Sequence, residues 1–307
     1  MIVLLLTTKN ESGLLRLNIE HHLRWGVDRV CVADNASTDD TADVVRAFGD
    51  AVSSTVFGDF GERQRVRTAM FRDLCARFGR VDWAGVSDTD EFWWAPGATA
   101  ADLLATVPRG VPAATFGQKL FLPTEVDPCD GPVTRRMLHR ASGPESPLFS
   151  GYKEGKTFYR GETLHRVSHE HRNPDVAAPE WRHATAAVHH YMIQDEDQFV
   201  MKVRRFPAWQ PRARPASRWL RALRPAGVAP SAPALKADIK KRWWDVWERG
   251  GEPALREHYR TQFRVRRDDV DRHVASGALV RDTAFADHCA AERAICSRAD
   301  SRSPGLP

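Results

Sequence analysis

Strand-length apolar runs alternate with helix-patterned segments from the start of this chain, and few folds accept that order. Ile2 to Leu6 is a continuous apolar run, as in a parallel strand buried on both faces. Leu15, Ile19 and Leu23 recur at i, i+4 and i+8, which predicts a helix from near Ser12 that ends before Gly26. Val30 to Ala33 is a second strand, ending on Asp34. In STDDTADVVRAF, Ser37 is the expected N-cap, with an acid three residues on and Val44, Val45 and Phe48 turned inward. AVSSTVF is a third strand, Glu62 to Phe78 a helix, and VDWAGVS a fourth strand that delivers Asp88. Four strands and three helices in about 90 residues predict an α/β fold, a mostly parallel central sheet flanked by helices.

Beyond Phe92 the alternation weakens. AATFGQKLF, GKTFYRG and TAAVHHYMI are strand-like, and DEDQFVMKVRR is a helix. Residues 206–235 then form a basic Pro/Arg-rich linker or loop, 236–296 a helical C-terminal appendage, and 297–307 a tail expected to be disordered; 1–205 is the main domain. The formal charge of +5 is unevenly placed. Residues 1–199 carry 28 acids against 22 bases, whereas Lys202 to Arg224 holds eight bases and no acid. A nucleic-acid binder would carry its basic face through the folded core, so that class is set aside. Five cysteines without CxxC spacing read as reduced thiols. The opening MIVLLLTTKNE is too short and lacks the basic flank of a signal peptide, so a cytoplasmic protein is expected.

In an open parallel sheet, ligands bind at the carboxyl ends of the strands. Those ends carry TTKNE, Asp34-Asn35 and SDTDE, with Asp88, Asp90 and Glu91 crowded together. Neither GxGxxG after the first strand nor GxxxxGK[ST] occurs, so a bound pyrophosphate needs another counter-charge. A divalent cation held by Asp90, Mg²⁺ or Mn²⁺ by its oxygen ligands, supplies it, with Asp88 supporting from the ribose side. A lone D-x-D is equally what an acidic turn looks like; its place after a buried strand, beside two other polar strand ends, favours the metal seat.

TTKNE, EHHLRWGVDRVCVADNASTDDT and SDTDEFWW together resemble the GT-A glycosyltransferases, in particular the family-2-like group with a D-x-D-E-F element. GKTFYRG and HHYMIQDEDQFVMKVRR extend the resemblance, which covers Ile2 to Arg205. It implies a GT-A fold and metal-dependent sugar transfer from a nucleotide-diphosphate sugar, UDP- or GDP-linked, with inversion at the anomeric carbon. It also implies site roles. Thr7, Glu11, Asp34 and Asn35 would contact the nucleotide, Asp88 the ribose or metal, Asp90 and His190 the metal. Lys202 and Arg205 would steady the phosphates, and Glu91 would orient the site or meet the acceptor. The general base would be Glu91, Glu154 or Glu170, with Glu125 and Asp127 also in range. The pattern departs after Arg205, where Phe206-Pro207 stands in place of an expected glycine.

Two features stand outside this pattern. His165, His169 and His171 offer a metallohydrolase reading, but H-x-x-x-H-x-H is not a common zinc spacing. The 206–224 stretch interleaves Trp209, Trp219, Leu220 and Leu223 with arginines, fitting either a solvated loop or peripheral contact with the inner membrane face near a lipid-linked acceptor. Trp243, Trp244 and Trp247 share a helical face expected to pack on the main domain. The competing functions are a sugar-nucleotide pyrophosphorylase, whose glycine- and arginine-rich phosphate loop is missing here, and a non-catalytic nucleotide-sugar or carbohydrate binder. Acceptors span glycans, lipid-linked sugars and small molecules.

Overall fold

The computed structural model describes residues 1–149, 155–164, 181–205 and 232–300. Its first half follows the predicted alternation: β1 (Ile2–Thr8), α1 (Ser12–Arg24), β2 (Arg29–Asp34), α2 (Thr41–Ala47), β3 (Val52–Val56), α3 (Arg63–Phe78) and β4 (Trp83–Asp88). Then come β5 (Glu91–Trp94), α4 (Ala100–Ala105), β6 (Ala113–Leu122), α5 (Val133–Arg136), β7 (His139–Ala141), β8 (Lys156–Arg160), β9 (Trp181–His190) and α6 (Glu196–Arg204). The C-terminal elements are α7 (Ala232–Gln262), α8 (Arg267–Ala275), β10 (Leu279–Arg281) and α9 (Ala284–Asp300). Among the described residues no helix is long and apolar enough to cross a membrane.

Strands β3, β2, β1 and β4 lie side by side, all parallel. Their alternate residues enter two cores. Leu4, Leu6, Val30 and Val32 pack on the side of α1, while Val3, Leu5, Cys31 and Ala33 pack against α3. That double burial is why the runs read as continuously apolar. The expectation of a mostly parallel sheet stops at β4. Strand β8 joins β4 antiparallel, β6 joins β8 antiparallel, β9 runs parallel to β6, and β5 pairs β9 antiparallel. The sheet is therefore mixed, with helices on both faces.

Two local expectations change. Ser37 is not the N-cap of α2: its hydroxyl and N–H both donate to Asp34 Oδ1, at 2.6 and 3.0 Å, and the helix begins at Thr41. Nor is the C-terminal segment an appendage. Strand β10 pairs antiparallel with β7, and Phe285 of α9 is wholly buried in the main core with Phe92 and Trp94. Trp243 does pack inward, against Phe199 of α6. Helix α7 breaks at Gly251, whose φ of 61° is a left-handed conformation that glycine adopts without a Cβ penalty.

Candidate active site

The parallel register brings the predicted strand ends level. Thr7 is opposite Asp88, and Thr8 is opposite Asp34. After Asp88 the chain turns at once into β5, and the antiparallel pairing of β5 with β9 sets Glu91 against His190. The Tyr191 N–H donates to the Asp90 carbonyl at 2.9 Å, fixing that turn. A histidine a hundred residues away in sequence thereby meets the D-x-D-E segment.

Asp90, Glu91 and His190 are all buried, and their ligating atoms lie within 4.8 Å of one another. His190 Nε2 stands 3.5 Å from Asp90 Oδ1 and 3.9 Å from Glu91 Oε1. Two carboxylate oxygens and an imidazole suit a divalent cation such as Mn²⁺ or Mg²⁺, so the residues present fit that group. Asp88 stands apart from this cluster; its side chain keeps 44% exposure and accepts from Arg67 Nη2 at 3.3 Å. Glu91 takes the place expected of Asp88 in the cluster.

The acids do not face one another uncompensated. Lys202 Nζ lies 2.6 Å from Asp90 Oδ2, and Lys156 Nζ 2.7 Å from Glu91 Oε1. Burial works against the charge of both partners in the first pair. Lys202 and then His190 nevertheless hold the Asp90 carboxyl well below the usual range, while Asp90 and Glu11 push Lys202 up. Glu11, beside Arg205 at 3.6 Å, is raised to about 7, chiefly by burial and against the pull of Lys202. Arg67 of α3 is also buried, with Nε donating to Thr7 Oγ1 at 2.7 Å. Burial lowers its pKa, which Asp88 and Glu91 counter.

Gln118 orients His190, its amide nitrogen 3.0 Å from Nδ1. In that orientation the neutral ring carries its proton on Nε2, toward Asp90. A half-turn of the amide lets Nδ1–H donate to the Gln118 oxygen and leaves the Nε2 lone pair for a cation.

The remaining candidates divide. Asn35 is buried, its amide donating to the carbonyls of Phe57 and Gly58 at 3.2 Å each, so it fastens the loop after β3 rather than offering itself to a ligand. Glu91 accepts from Ser87 Oγ at 3.2 Å and the Asp88 N–H at 3.1 Å besides Lys156. With both oxygens engaged and 1% exposure, its carboxylate is unsuited to take a substrate proton. Asp127 binds His139 Nδ1 at 2.8 Å and Glu125 accepts from the Arg267 N–H at 3.0 Å; both are structural. Glu154, Glu170, His165, His169, His171 and 206–224 lie outside the described residues. An open cleft of about 220 Å³ beside the site is lined by Asn10, Glu11, Asp39, Gln198 and Met201.

No motif singles out Arg67 or Gln118, and Lys156 lies within the strand-like GKTFYRG. The signal for Arg67 was a charge in phase with the buried face of α3, alongside Met70, Phe71 and Leu74. Gly155 places Lys156: its φ is 82°, and a Cβ there would meet the Phe116 carbonyl oxygen at 2.1 Å.

No protein-family profile matches the chain, and neither does any curated protein. Solved structures do. A mannosyltransferase from Pyrobaculum calidifontis, in complex with GDP-Man and Mn²⁺, is 14% identical over 96% of this chain and 79% of its own, with a TM-score of 0.38. Glucosyl-3-phosphoglycerate synthase from Mycobacterium tuberculosis, with Mn²⁺, UDP and glucosyl-3-phosphoglycerate, is 22% identical over 53% of this chain and 58% of its own, at 0.30. TarS from S. aureus is 11% identical over 84% and 91%, at 0.35. At TM-scores this low the overlaps do not decide the chemistry, which rests on the strand ends themselves.

Proposed function

We propose that this chain is a divalent-cation-dependent glycosyltransferase that moves a sugar from a UDP- or GDP-sugar to an acceptor hydroxyl. The observation that carries the reading is the meeting of Asp90, Glu91 and His190 beside level strand ends, where α/β sheets take their ligands. Mn²⁺ or Mg²⁺ held by Asp90 and His190 would supply Lewis-acid stabilisation of the departing diphosphate. Asp34 would accept from a base N–H at the end of β2. Asp88, steadied by Arg67, would meet the ribose or the cation side. Lys202 and Arg205 would bring positive charge to the diphosphate.

In an inverting transfer the acceptor oxygen bonds to the anomeric carbon as the bond from that carbon to the diphosphate oxygen breaks. The electron pair leaves with the diphosphate, and the acceptor proton passes to a carboxylate base. Glu154 or Glu170 fills that role in this reading, since Glu91 is fully engaged. Peripheral contact of 206–224 with the inner membrane face belongs to the same proposal and would bring a lipid-linked acceptor within reach.

The test is thermal unfolding with UDP, GDP, dTDP and CDP, each with and without Mn²⁺, on wild type and Asp90→Asn. A ligand at a hundred times its Kd stabilises the native state by about 2.7 kcal/mol. One diphosphate is expected to raise the wild-type Tm only with Mn²⁺, and Asp90→Asn to lose that increment. No shift with any nucleotide sinks the proposal; binding without donor turnover supports the non-catalytic reading instead.

A further inference from the structure

A second cluster of ligating side chains lies away from the strand ends, between the first helix and the last described one. His21 of α1 is 3% exposed, and its Nε2 lies 2.8 Å from the Trp93 carbonyl oxygen. A carbonyl only accepts, so the ring proton sits on Nε2 and Nδ1 presents a lone pair. That Nδ1 is buried without a hydrogen-bond partner among the described residues. An unpaired polar atom in such a place costs about 1–3 kcal/mol, so its environment needs an explanation.

His288 and Glu292 supply one. They stand one turn apart on α9, with His288 Nε2 3.3 Å from Glu292 Oε1. The ligating atoms of His21, His288 and Glu292 lie within 4.8 Å of one another. We propose that these three residues bind a divalent ion that prefers nitrogen ligands, Zn²⁺ in the first instance, and that this ion fastens α9 to α1.

Three features fit. Two imidazoles and one carboxylate with an open fourth position form a donor set that zinc accepts. The Trp93 carbonyl fixes the tautomer of His21 from behind, as the outer partners of metal-bound histidines do. His288 and Glu292 keep 33% and 23% exposure, so an ion and a completing water can reach them. Donors around a four-coordinate zinc lie about 3.4 Å apart at bond lengths of about 2.1 Å. Closing from at most 4.8 Å therefore needs no more than about 1.4 Å of movement, which the two partly exposed side chains on α9 can make.

The donor chemistry separates this cluster from Asp90–Glu91–His190. Two carboxylates and one imidazole favour harder ions, whereas two imidazoles and one carboxylate favour Zn²⁺ and Co²⁺. The experiment uses the full chain carrying His190→Ala, which removes the nitrogen donor from the strand-end cluster. Co²⁺ is titrated in and followed by its visible ligand-field absorption, then displaced with Zn²⁺. One Co²⁺ per chain with the intense band of four-coordinate cobalt is expected, released by one equivalent of Zn²⁺. Adding His288→Ala or Glu292→Gln should weaken binding by more than about tenfold. Both side chains are partly exposed, so far-ultraviolet circular dichroism is expected to confirm an unchanged fold. Absence of the band, or a band and stoichiometry untouched by His288→Ala, overturns the proposal.

Discussion

Lys156 and Glu91 form an ion pair with side chains 2% and 1% exposed. Removing one member of such a pair strands the other charge in a medium that solvates it poorly. Lys156→Met is expected to destabilise the fold by about 3 kcal/mol or more, read from the urea midpoint. Adding Glu91→Gln should recover part of that loss; a double variant as unstable as the sum of the two singles would show that the charges are not coupled. The acids of this site were legible in the sequence because they stand together in SDTDE. Of their cations only Lys202 stands in such a motif; Arg67 and Lys156 come from two further elements, and only the fold brings the three together. His190 was legible through its place between a strand and a helix, whereas Gln118 carries no signal of its own.

Among the elements, β10 is held by more than its three-residue ladder. Asp282, just past its end, accepts from Lys119 Nζ of β6 at 2.9 Å and Arg140 Nε of β7 at 2.7 Å. Burial opposes its ionisation, yet Arg140 and Lys119 hold its pKa down to about 2. A depressed carboxyl stabilises the native state fully above its unfolded pKa, and that contribution fades as pH falls from about 4 toward 2. Asp282→Asn should cost about 2 kcal/mol at pH 7 and flatten the stability–pH curve across that acid window, measured by urea titration at each pH. An undiminished acid slope in the variant would assign it to other carboxyls. The first four strands were readable because burial on both faces writes itself as unbroken apolar runs. Pairing direction was not: the pattern of β8 reports burial and says nothing of whether its neighbour runs with or against it. Strand β10 is too short for any periodicity to register.

Across the whole molecule, the last described elements complete a core begun by the first. Phe285 touches the rings of His21, Phe92 and Trp94, with centroids 4.9, 5.8 and 5.4 Å away. Truncation after Gly277 would strip β10 and α9 and bare that aromatic face. The truncated chain is expected to lose its near-ultraviolet circular dichroism and to aggregate on size exclusion; a monomer with the parent's unfolding curve would restore the picture of a separable appendage. The same closure sets a clock on synthesis. At about 5–20 residues per second, the chain between Arg24 and Ala284 takes on the order of 13 to 50 seconds to emerge. For that interval α1 waits on the ribosome with its outer aromatic flank uncovered, and the delay gives other hydrophobic surfaces their chance to reach it.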